Sequence, residues 1–94
     1  MKSLRYTSKA HTDVKEILLY ISEDKLGAAL KFVERIEARC DLIASNPEMG
    51  ELRPEYGPGV RSVSVGKYVI YHSSTPKEVL ILRIVPGVRD IRSL

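Results

Sequence analysis

The segment Val60–His72, VRSVSVGKYVIYH, constrains this chain more than any other. Apolar and polar residues alternate on both sides of Gly66-Lys67, and a two-residue connection with glycine first suits a type II′ turn. The pattern therefore predicts an antiparallel hairpin in which Val65 opposes Tyr68, Val63 opposes Ile70 and Arg61 opposes His72. A hairpin buries only one face, so the rest of the chain has to cover it.

Two helical patterns are available for that cover. LRYT (Leu4–Thr7) reads as a short first strand, with Ser8 as the expected N-cap of a helix running to about Glu23. Ala10, Val14, Ile17, Leu18 and Ile21 form its apolar stripe. Gly27 is expected to mark a break. A second helix follows from about Ala28 to Ser45, with Ala29, Phe32, Val33, Ile36, Cys40 and Ile43 on one face and SNP as its stop. A loop this short implies an antiparallel helical hairpin. The stretch Asn46–Gly59, rich in proline and glycine, is expected to be a loop with little regular structure. Beyond the hairpin, Ser74–Glu78 is a turn, and VLILRIV (Val79–Val85) is apolar on both faces, so this strand should be central or covered. The expected order is β-α-α-β-β-β, an α+β domain with a helical hairpin packed on one face of a small antiparallel sheet whose other face stays open.

At 94 residues the chain is expected to be one domain with a modest core. Cys40, the single cysteine, cannot form an intrachain disulfide and lies in a helical apolar pattern, which suggests a buried thiol in a reducing compartment. No apolar run approaches the roughly 20 residues that span a bilayer, and the N-terminus lacks an apolar signal segment. A cytoplasmic location without membrane contact is expected. Net charge is +3, too small by itself to imply nucleic acid. Its distribution is more telling, because Arg61, Lys67, Lys77, Arg83, Arg89 and Arg92 face only Glu78 and Asp90 in the C-terminal half. That half should meet an acidic partner. No metal-ligand spacing, phosphate loop or nucleophile elbow is present, so no metal or cofactor is expected.

Nearly the whole chain resembles the ParE branch of the ParE/RelE toxin superfamily, the toxin half of bacterial type II toxin–antitoxin pairs. DVKEILLYISED, NPEMGELRPE followed by GVRSVSVGKYVIYH, and the closing LRIVPGVRD carry the resemblance together. In ParE-like sequences the closing motif usually has a histidine just before its glycine; here that position is Pro86. PGVR also occurs at Pro58–Arg61, but the second copy is the altered closing motif and the likeness is coincidence.

The resemblance implies a toxin that binds and blocks DNA gyrase without covalent chemistry of its own. A cognate ParD-like antitoxin would hold it inactive, with acidic groups on the basic sheet and apolar residues in the helix grooves. Direct sequence-specific binding to nucleic acid is not expected. The alternative within the superfamily is a RelE-like ribosome-dependent mRNA endoribonuclease, which needs a general base, a general acid and cations. The candidate target- or antitoxin-binding residues are Arg61, Lys67, Tyr68, His72, Arg83 and Arg89. Arg83 interrupts an apolar strand, so it either pairs or snorkels, or else lines a binding face. Arg61 and His72 either border an anion site or are a solvated pair. Tyr68 and Tyr71 suit plain sheet packing better than a functional role, since aromatics favour strands without any functional demand. Asp13 reads as part of a solvated helix face.

Overall fold

A computed structural model describes residues 2–88, 91 and 94. The elements are β1 (Ser3–Tyr6), α1 (Ser8–Ser22), α2 (Leu26–Ser45), β2 (Glu51–Leu52), β3 (Arg61–Val65), β4 (Tyr68–Ser74) and β5 (Glu78–Pro86), with a 3₁₀ turn at Pro54–Tyr56. The strands form one sheet in the order β1-β5-β4-β3-β2. Both helices lie on one face of it, so the α+β architecture and the element order are as expected.

The hairpin has the register that the alternation predicts: Val65 pairs with Tyr68, Val63 with Ile70 and Arg61 with His72. At its turn Gly66 has φ +58° and Lys67 has none of the positive φ confined here to glycines, which is the type II′ pattern. A side chain at Gly66 would also press on Phe32, with a Cβ 3.1 Å from the ring.

Several features differ from expectation. The sheet is mixed, because β1 pairs parallel to β5, from Ser3 with Glu78 to Tyr6 with Ile81. The helical hairpin carries the chain across the sheet and returns it on the far side, a crossover that no local pattern reports. Thr7, rather than Ser8, caps α1: its Oγ1 accepts from the Ala10 amide at 3.1 Å and donates to the Leu82 carbonyl at 2.9 Å. Gly27 lies inside the first turn of α2, where glycine is tolerated, and does not break the chain. The stretch Asn46–Gly59, expected to have little regular structure, contains β2 and the 3₁₀ turn.

The core lies between helices and sheet. Ala10, Ile17, Ile36, Cys40 and Ile43 meet Val63, Val65, Ile70, Val79, Ile81 and Ile84. Cys40 is fully buried, and burial pushes its thiol up to about 11, so at neutral pH it is an inert thiol beside Tyr6. The opposite face is covered in part, not open. Tyr56 stands edge-on to Tyr71 at 5.3 Å, its hydroxyl donates to the Ile91 carbonyl at 3.1 Å, and Arg53 Nε donates to Ser62 Oγ at 2.9 Å. Val85, on that side by strand alternation, is accordingly 1% exposed.

Candidate functional site

Four separated stretches of sequence converge on one groove of about 950 Å³. One wall is α1, which contributes Ile17, Tyr20 and Ile21. The facing wall is the start of α2, with Phe32 and Arg35, and the hairpin turn Gly66-Lys67-Tyr68. The end of β5 and the residues after it, Ile84 and Pro86 to Val88, close one end. The turn and the closing motif are joined directly, since the Gly87 amide donates to the Lys67 carbonyl at 2.8 Å.

Ile17 and Ile84 are core residues that reach the groove floor, while Tyr20 and Val88 are 70% and 98% exposed. Exposed apolar side chains beside a concavity are the usual mark of a protein-binding surface. Phe32, expected in the sheet-facing core, is instead partly buried in the groove wall. Its ring packs against Tyr68 at 5.4 Å, and the Arg35 guanidinium lies 5.2 Å from its centroid. Helical spacing does not separate the two positions; the hairpin turn, which ends beside Phe32, does.

Lys67 is exposed, and among the described residues neither it nor Arg35 is paired with a carboxylate. Across from them stands Glu16. The groove thus has an apolar floor and one cationic rim. Tyr68 borders it with its pKa raised by partial burial, so the phenol is protonated at neutral pH.

The other candidates are placed elsewhere. Arg83 is a paired residue: its Nε and Nη2 donate to the two oxygens of Asp13 at 2.8 and 3.0 Å. That bond raises the guanidinium pKa further above its ordinary value. Asp13 is only 4% exposed, which corrects its reading as a solvated helix residue. It also accepts the Ile84 amide at 2.9 Å. Here β1 has already ended, and Thr7 and Asp13 continue the ladder along β5 with side-chain oxygens. The sequence carried a signal for this pair, an arginine inside an apolar strand, but not the identity of its partner seventy positions away.

His72 does oppose Arg61, yet the two do not border a surface anion site. The ring is fully buried beneath the sheet, with Nε2 3.0 Å from the Met49 carbonyl. Burial lowers its pKa below the ordinary histidine value. Arg61 Nη1 donates to the Gly50 carbonyl at 3.1 Å. The remaining candidate, Arg89, lies outside the described residues. Among the described residues no group of three or more His, Cys, Asp or Glu could hold a metal, and none of their helices is long and apolar enough to cross a membrane.

Comparison with known proteins agrees with this geometry. The family model "ParE toxin of type II toxin-antitoxin system, parDE" matches residues 4–91. A chain of the chromosomal ParDE toxin–antitoxin system from P. aeruginosa is 31% identical and superimposes with a TM-score of 0.75, covering 92% of this chain and 96% of that one. A chain of the E. coli DinJ-YafQ complex shares the fold at 16% identity and a TM-score of 0.60, covering 93% and 94%. Among curated proteins none matches by sequence.

Proposed function

The chain belongs to the ParE toxin family of type II toxin–antitoxin systems, and from that premise we propose that it acts by binding DNA gyrase and is neutralised by a cognate ParD-like antitoxin. The observation that carries the reading is the state of two positions that could supply proton-transfer chemistry, the closing-motif position and His72. Pro86 occupies the closing-motif position beside the groove and has no proton to give or accept. His72 is buried with Nε2 committed to a carbonyl. A ribosome-dependent ribonuclease built on this surface would lack both groups, and losing a general acid or base costs about 10²–10⁴-fold in rate. A binding toxin loses far less from one altered side chain.

The groove is the natural seat for the antitoxin. An amphipathic segment would place apolar side chains over Ile17, Phe32 and Tyr68 and carboxylates near Arg35 and Lys67. Of the candidates read from sequence, Lys67 and Tyr68 belong to this surface. Arg83 supports it from behind through Asp13, Arg61 lies outside it, and Arg89 is not among the described residues.

The purified chain should inhibit supercoiling by gyrase and leave ribosome-bound mRNA intact. Chain-dependent mRNA cuts without gyrase inhibition would favour the ribonuclease. Tyr20→Asp and Phe32→Ala should each weaken antitoxin binding by about tenfold or more, the loss typical of an interface anchor, while association slows at high salt because steering by Arg35 and Lys67 is screened. Unchanged affinity in both variants would place the antitoxin elsewhere.

A further inference from the structure

The turn that joins α2 to β2 is tied to the sheet by two side chains from facing positions on β3 and β4. His72 bonds the Met49 carbonyl, and Arg61 bonds the Gly50 carbonyl. Gly50 sits at φ +97° so close to β3 that a Cβ there would come 2.5 Å from the Ser62 carbonyl oxygen. The turn therefore has a single tight seat, and it leads straight into β2, which pairs with Ser62 and Arg61.

The tautomer follows from the partner. A carbonyl only accepts, so Nε2 carries the hydrogen and Nδ1 of the neutral ring is a bare acceptor. Nδ1 is buried and has no hydrogen-bond partner. A second proton would place an N–H there without an acceptor, and a positive charge facing Arg61. The surroundings offer no relief. On β5 the residue opposite the ring is Ile81. The last turn of α2, Leu42 to Ser45, has no titratable residue. Glu48 in the turn and Glu51 on β2 are both exposed, and Glu51 is bridged to Arg53.

We propose that His72 is an acid-released latch: the neutral ring holds the α2–β2 turn on the sheet, and protonation releases the turn together with β2, leaving the β3 edge unpaired. The depressed pKa of the buried ring agrees with this, because the fold favours the neutral form. An uncovered strand edge is a template for pairing with another chain, so release would change what the toxin can associate with. His72 shares the sheet face of Tyr68 but stands four residues along β4 from it and does not line the groove, so the latch does not depend on what the groove binds.

The test uses the full chain in a His11→Gln background, in which His72 is the one histidine left of two. Imidazole ¹⁵N NMR should show the Nε2–H tautomer at about pH 7.5. Exchange protection of the Met49 and Arg53 amides, which donate to the Asn46 and Val60 carbonyls, should fall by about tenfold or more on going to about pH 4.5. The midpoint should coincide with the ring titration, and the Ile70 and Ile84 amides should keep their protection. His72→Phe should show weak local protection at both pH values. The proposal fails if local protection ignores the ring titration, if all amides lose protection together, or if His72→Phe retains the pH response. Should His72→Phe not fold, coincidence of the two midpoints in the parent chain decides alone.

Discussion

Asp13 and His72 are both polar and buried against this sheet, and they are satisfied to very different degrees. Asp13, where α1 takes over the edge that β1 vacates, accepts three hydrogen bonds, two from Arg83 and one from the Ile84 amide. His72, beside the α2–β2 turn, makes one bond and leaves Nδ1 without a partner. A fully connected buried group rigidifies what it touches, whereas a partly connected one can be turned against the fold by a single proton. The end of the sheet beside the groove is therefore built to stay in place. The end beside β2 is built with a weak point.

The largest effect should come from breaking the complete network. Asp13→Ala leaves the Arg83 side chain, 14% exposed, and the Ile84 amide without an acceptor, at a cost of about 3–5 kcal/mol in urea denaturation, the usual loss when one partner of a buried ion pair is removed. Asp13→Asn keeps one oxygen for the Ile84 amide but loses the charge and the second acceptor for Arg83, so it should cost about 1–3 kcal/mol. Equal losses in the two variants would mean that the backbone bond contributes little beyond the ion pair.

The incomplete site should give a smaller effect that depends on pH. Near neutral pH, His72→Phe removes the bond to Met49 but also the orphan nitrogen, for a net change of about 1 kcal/mol or less. Because burial depresses the folded pKa of His72, the unfolded chain binds the extra proton first. Stability from this group is then fully present above the ordinary value of about 6.5 and is lost as pH falls below it through the folded pKa. The parent chain should lose stability across that window, and the Phe variant should lack this component. A larger pH dependence in the variant would reverse the comparison. The smallest effect sets its lower bound: Arg5→Ala, which opens the solvent-exposed Arg5–Glu78 bridge, should cost about 0–1 kcal/mol.

Much of this arrangement was legible in the sequence. The hairpin register followed from alternation around Gly66-Lys67, both helices from their apolar spacing, and the central place of β5 from its being apolar on both faces. Each is a local periodicity that survives folding because the side chains it orients are the ones that must leave water. Lys67 was a site candidate through the basic character of the C-terminal half, and its place in the turn leaves it exposed.

What lay beyond reach depended on which distant elements meet. The parallel pairing of β1 with β5 needs the crossover by the helical hairpin. The partner of Arg83 sits on another element, so the odd cation in an apolar strand marked a problem without naming its solution. His72 looks like any strand histidine until packing buries it, and Phe32 and Ile36 share a helical face until the β3–β4 turn comes to rest beside one of them. The elements, the hairpin register and the apolar face each helix presents follow from residue order alone, because these rest on the periodicity of the backbone. Which cations stay free, which histidine is sealed off and where the groove opens depend on the packed fold, because charge pairing and burial are properties of contacts between residues far apart in the chain.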